Sequence, residues 1–296
     1  MRTILRSYGA ALRLLLVLTV ILGIGYPLAV TAVAQVPGLK FRADGSLIKR
    51  ADGTVIGSRL IGQSFADDKG NALPQYFQSR PSAAGAGYDP TASSPSNLGP
   101  ESILDVLADP ADSTSTGTQR LLSLVCSRSK ALGELEGVDG SRPFCTPDGV
   151  GAVLVVFHQG PGYAGPVTRV VSANQACPTT PFISSYNGAT VECAKPGEDL
   201  GAGQAVPVRG DAPATPAVPA DAVTASASGL DPEISPAYAE LQAPRIAKAR
   251  AMSVAEIARL IAAHAAGRDL GILGEPRVNV LALNVALDAA HPVAAP

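Results

Sequence analysis

The sequence predicts an α+β protein: a single N-terminal transmembrane helix, then an extracytoplasmic α+β domain with a disulfide-containing insertion. Three observations predict it. Leu14–Leu39 contains no Asp, Glu, Lys, Arg or His and follows Arg2, Arg6 and Arg13. Cys126, Cys145, Cys177 and Cys193 form no Cys-x-x-Cys pair and have no His at zinc-site spacing nearby. Strand-like and helix-like segments alternate through the rest, and the C-terminal third is regular.

The 296 residues are 46% hydrophobic and only 16% charged, which argues against a disordered chain. Net charge is −2 and the isoelectric point about 5.9. A surface built on phosphate contacts would be far more basic, so nucleic acid is excluded as a partner. With three His and no Trp, a His-based metal centre has little to draw on.

The uncharged run is roughly 39 Å long as a helix, against about 30 Å of bilayer hydrocarbon. Pro27 kinks it and Pro37–Gly38 ends it. Ala32-Val33-Ala34 before Gln35 also fits a cleaved secretory signal. Either reading exports the rest of the chain, where the four cysteines read as two disulfides. Three pairings are open. The least entangled joins Cys126 to Cys145 and Cys177 to Cys193, each loop worth roughly 3 kcal/mol.

Thr54–Phe65 reads as one or two short strands, and Gln75–Pro100 is turn-rich. Gln119–Glu136 reads as an amphipathic helix with Leu121, Leu124, Val125, Leu132 and Leu135 near one face. Gly149–His158 is the best buried-strand candidate. Val206–Ala222, with Pro207, Pro213, Pro216 and Pro219, reads as a semi-rigid linker. Ser235-Pro236 opens a helix to about Met252, kinked at Pro244. Ser253-Val254-Ala255-Glu256 is a capping box, and the helix after it aligns Val254, Ile257, Ile261 and His264, with Gly267 able to close it. Arg277–Leu287 reads as a strand or a short buried helix.

Catalytic motifs are weak. Gly160–Gly165 matches G-x-G-x-x-G, but Pro161 removes an N–H and no acidic residue follows at ribose spacing, so a hairpin or loop is expected. Asp112–Thr118 is a polar loop. Thr224 stands where a nucleophile elbow around Ser226 needs glycine. His158, His264 and His291 are scattered. No nucleophile, base or metal set assembles, so the chain is expected to have no catalytic site of its own.

Longer phrases carry more information. Leu60–Phe65 (LIGQSF), Tyr76–Ala83 (YFQSRPSA) and Ser96–Pro100 (SNLGP) resemble the first half of the KdpC family, a subunit of the Kdp potassium-transporting P-type ATPase. Val223–Pro232 (VTASASGLDP), Ile234–Pro236, Gln242, Pro244–Arg250 (PRIAKAR) and Gly274–Leu281 (GEPRVNVL) resemble its second half, in the same order. Ser94-Pro95 and Glu233 depart from the family pattern.

The resemblance implies 1–13 as a cytoplasmic N-terminus, 14–36 as an uncleaved transmembrane helix and 40–108 as the first part of an extracytoplasmic domain. It leaves 109–218 as an insertion with the cysteines and a Pro-rich linker, 219–288 as the C-terminal part and 289–296 as a tail. It implies a non-catalytic subunit of a high-affinity ATP-driven potassium importer in the cell membrane. The implied partners are a channel-like potassium-binding subunit, the P-type ATPase subunit and a small single-span subunit. It also implies a catalytic-chaperone role that raises the ATP affinity of the ATPase subunit, and links Gln242 to nucleotide. ATP is the one cofactor suggested, with none held stably. The alternative is a secreted or membrane-anchored binding domain with no transporter role.

Overall fold

Pro27 has no N–H, and in a regular helix its ring would strike the carbonyl four residues back. The chain accommodates it with one wide turn. In the computed structural model, which describes residues 2–50, 52–93, 101–109 and 111–292, helix α1 (Arg2–Val20) enters a π turn at Ile21–Gly25. There the Tyr26 N–H donates to the Ile21 carbonyl, five residues back, and α2 (Tyr26–Ala34) follows. Where the sequence predicts a kink at Pro27, the structure shows a π turn ahead of it, with helical dihedrals at Val20, Gly25 and Tyr26. Arg6–Ala34 is the one helix among the described residues long and apolar enough to cross a membrane, and none of it is buried. A turn with Gly38 at φ +90° ends it. Beyond lie α3 (Lys40–Ala43) and an antiparallel hairpin of β1 (Leu47–Lys49) and β2 (Val55–Ser58). Residues 1–61 form one unit and 62–296 a second.

The second unit contains two hydrophobic cores. The first is helical. Helix α6 (Pro236–Arg250) starts at the predicted N-cap, where Ser235 Oγ accepts from the Tyr238 N–H, and it runs on through Pro244. Ser253 and Glu256 form the predicted capping box of α7 (Val254–His264). Arg277–Leu287 divides into β10 (Arg277–Asn279) and most of α8 (Val280–Ala290), with Asn279 capping the helix. Phe77, Ile246, Ile257, Leu283 and Leu287 are fully buried here. A small antiparallel sheet of β8 (Glu233–Ile234), β10 and β9 (Ala265–Ala266) edges this core.

The second core belongs to a five-stranded sheet. Its order is β5 (Ser185–Tyr186), β6 (Ala189–Ala194), β4 (Ala164–Ala176), β3 (Val153–Gly160) and β7 (Gln204–Pro207). Only the β4–β6 pair is parallel. Leu154, Val156, Val170 and Val191 fill this core. The G-x-G-x-x-G segment is the β3–β4 hairpin turn, with Gly160 opposite Ala164.

Three expectations need correction. Helix α4 (Leu121–Glu136) exists, but its tightest face is its small one. Ser123, Cys126, Ser129 and Gly133 are buried, whereas Leu121 is 46% and Leu135 37% exposed. A Cβ on Gly133 would lie 2.6 Å from the Gly140 backbone, so small residues let the following loop close onto the helix. Val125 and Leu132 lean half-buried on the helical core instead. The Val206–Ala222 linker is docked rather than free. Val206 pairs with Leu154 in the sheet, Val218 is 1% exposed, and Ala220–Val223 is a short helix, α5. Finally, α7 ends at His264, before Gly267, because Ala265 turns extended and joins β9.

Candidate functional site

Three of the phrases that carry the family resemblance, YFQSRPSA, VTASASGLDP and PRIAKAR, come together along one seam of the second unit. Segment 74–78, a turn closed by the Tyr76 N–H on the Leu73 carbonyl and leading into Phe77 and Gln78, lies on the helical core, and four side chains capture its backbone. Asn284 of α8 accepts from the Phe77 N–H (2.9 Å) and donates to the Phe77 carbonyl (3.0 Å). Gln242 of α6 does the same to Gln78, accepting at 2.6 Å and donating at 3.2 Å. Two helix amides thus imitate the ladder a neighbouring strand would offer. Arg245 donates to the Pro74 and Tyr76 carbonyls, at 2.6 and 3.1 Å. Arg250 donates to the Gln75 carbonyl (2.7 Å), to the Asp288 carboxylate (2.7 Å) and to the His291 carbonyl (2.7 Å).

Beneath this lies a buried ion pair. Arg245 Nε sits 3.0 Å from each Glu136 carboxylate oxygen, and the Glu136 side chain is fully buried. Burial pushes the Glu136 carboxyl above its ordinary value, and Arg245 only partly restores it. Farther along, YFQSRPSA meets VTASASGLDP. Arg80 pairs with Asp231 at 2.9 Å, Ser82 Oγ donates to the Gly229 carbonyl at 2.7 Å, and the Ser226 N–H donates to the Pro81 carbonyl at 3.3 Å. Gly229 must be glycine: its φ is +71°, and a Cβ would lie 2.6 Å from that of Ala84. Tyr88, pushed up to about 12 by burial, donates its hydroxyl to the Arg80 carbonyl at 2.7 Å. The SNLGP phrase, Ser94-Pro95 and residues 293–296 lie outside the described residues.

Gln242, linked to nucleotide by resemblance, is 0% exposed. Its Oε1 serves Gln78 and Arg245 (2.9 Å), leaving one amide hydrogen unused by these contacts. The cysteines pair Cys126–Cys145 and Cys177–Cys193. No group of three or more His, Cys, Asp or Glu gathers to hold a metal among the described residues. His264 Nδ1 lies 2.8 Å from the Leu260 carbonyl. Thr224 Oγ1 donates to the Ala220 carbonyl, and Ser228 Oγ to Asp231. Sequence reasoning missed Gln78, Asn284, Glu136 and Arg245 as partners. The usable signal was the polar type of Gln242 and Asn284 at helix positions whose neighbours are apolar.

A family model described as KdpC, the K+-transporting ATPase c chain, matches residues 8–114 and 201–289. The chain is 37% identical to a potassium-transporting ATPase KdpC subunit of Caulobacter vibrioides (strain NA1000 / CB15N), over 93% of this chain and 88% of that one. Against the subunits of the same name from Kineococcus radiotolerans and Mycobacterium bovis (strain BCG / Pasteur 1173P2), identity is 36%. Those alignments cover 98% and 96% of this chain, and 96% and 98% of the relatives. The aligned spans run through residues 115–200, which hold all four cysteines and which the family model leaves unmatched.

Proposed function

This chain belongs to the KdpC family, the c chain of K+-transporting ATPases, and from that premise we propose that it is the non-catalytic subunit of a high-affinity, ATP-driven potassium importer. Arg6–Ala34 anchors it as an uncleaved single span, with residues 1–13 in the cytoplasm and the disulfide-bonded domain outside. It assembles with a channel-like potassium-binding subunit, the P-type ATPase subunit and a small single-span subunit. Its tasks are to steady that complex and shape cation entry. Residues 109–218 are a stapled elaboration of the outer domain.

The observation that carries this reading is the seam: phrases from both family-matched segments close on one another, Phe77 on Asn284 and Gln78 on Gln242. The disulfides favour an oxidising compartment. A domain outside the membrane cannot touch ATP inside. A chaperone effect on ATP affinity is therefore a coupling free energy carried through the span, with Gln242 acting as a latch within the outer domain. Covalent capture of an ATP analogue by Gln242 in sealed membranes would overturn that part.

Mild-detergent purification of the tagged full chain should bring down the three other subunits. Deleting residues 40–296 should abolish uptake at micromolar potassium; unchanged uptake refutes the proposal. Ala32-Val33-Ala34 keeps the secreted reading testable, because N-terminal sequencing of a mature protein starting at Gln35 would favour it.

A further inference from the structure

The most exposed large apolar side chains among the described residues are not in the span. They are Leu270, at 89%, and Ile272, at 75%, with Leu273 beside them at 54%. All three sit at the tip of one loop between β9 and β10. The tip is held firmly. The Asp269 N–H donates to the Leu273 carbonyl at 2.8 Å, and the Leu273 N–H returns a bond to the Asp269 carbonyl at 2.9 Å. Leu270 takes a left-handed φ of +54°, uncommon for a residue other than glycine. At the neck, Arg277 pairs with Asp269 at 3.0 Å and with Glu233 at 3.2 Å, while Arg268 pairs with Glu275 at 2.7 Å. The loop therefore spends its charges on its own rigidity and offers solvent an aliphatic knob.

We propose that the Leu270–Leu273 tip is a docking knob that seats in an uncharged, apolar pocket on the outer face of another subunit of the potassium-transporting complex; this rests on the subunit reading above. Three properties select a protein occupant. The tip itself carries no charge, and the neck sets two arginines against three carboxylates, Arg277 serving both Asp269 and Glu233, so no cation is left over to seek an anionic surface. The tip has no Trp, Tyr or Phe and no unpaired Lys or Arg with which to hold an anionic bilayer surface. The second unit carries fifteen Lys and Arg against twenty-three Asp and Glu, so such a surface repels it. A second copy meeting tip to tip would bury far less than the roughly 800 Å² per partner of a stable interface. Aliphatic side chains held in advance by a closed loop suit a preformed pocket, because little freedom is lost on docking.

The test uses the full chain in its complex. A photoreactive benzophenone side chain replaces Leu270, and separately a triple variant, Leu270→Gln, Ile272→Gln and Leu273→Gln, is purified from mild detergent. The expected results are an adduct with a larger membrane subunit and an at least tenfold loss of retained partner in the triple variant. About tenfold is what losing the burial of one such side chain gives. Far-ultraviolet circular dichroism and intact disulfides certify the variant's fold. A complex that still forms, with the adduct on lipid, on a second copy or on nothing, overturns the knob alone, and so does undiminished retention of the triple variant. Failure of the unaltered chain to bring down any subunit overturns the subunit reading and the knob with it.

Discussion

The two cores of the second unit differ in the range of the contacts that hold them. The helical core is closed by contacts between distant parts of the chain: Gln242 meets Gln78 across 164 residues, and Asn284 meets Phe77 across 207. Its fasteners are amides, arginines and a buried ion pair. The five-stranded sheet is assembled almost wholly from 153–207, and its region is stapled by disulfides spanning 19 and 16 residues. Long-range closure must overcome more loop entropy and stakes the core on a few buried polar groups. The sheet region adds covalent constraint on the unfolded chain, and its own buried amides, Asn174 and Gln175, bind Gly151 and Phe182 over only 23 and 7 residues.

The largest effect should come from breaking the ion pair. Arg245→Met leaves Glu136 charged and buried without its partner, and should cost about 3–5 kcal/mol in urea unfolding followed by helical circular dichroism. A loss below about 1 kcal/mol would mean that water reaches Glu136 and that the core does not depend on the pair. Next, Cys177→Ala with Cys193→Ala should cost roughly 3 kcal/mol. If the two cores are separable, strand-region amides lose hydrogen-exchange protection while the amides of α6 and α8 keep theirs. Equal losses in both would make them one cooperative unit and erase the contrast. The smallest effect concerns acid. The Ser253 hydroxyl and N–H hold the Glu256 carboxyl below its ordinary value of 4.5. That contribution is complete above this value and is lost as pH falls through the lower folded value. Ser253→Ala should flatten the acid side of the stability curve, read as the unfolding midpoint against pH.

What could be read from the sequence follows the same division. Local chemistry was legible: Ser235 with Pro236, the Ser253 capping box, the turn at Gly160–Gly165 and the arrest at Gly38 each depend on a few adjacent residues. The leucines of α4 do not mark its buried face, because burial there does not follow size. Here Gly133 meets the Gly140 backbone, Cys126 is bonded to Cys145 and Ser123 accepts from the Gly151 N–H, so the buried face is the one with the smallest side chains. The prolines around Val206 read as a linker because its strand partner, Leu154, is remote in sequence. Gln242 could be singled out only through resemblance, because nothing near it in the chain reveals a partner 164 residues away.

The π turn at Ile21–Gly25 has a geometric consequence for the span. An added residue in one turn advances everything after it by about 100° around the helix axis. A stripe of side chains that lines one face up to Val20 therefore re-emerges on a different side from Tyr26 onward. The single rod offers two differently aimed surfaces, one before the π turn and one after it. Any helix packed in regular ridge-and-groove fashion along residues before Ile21 would lose register at the π turn.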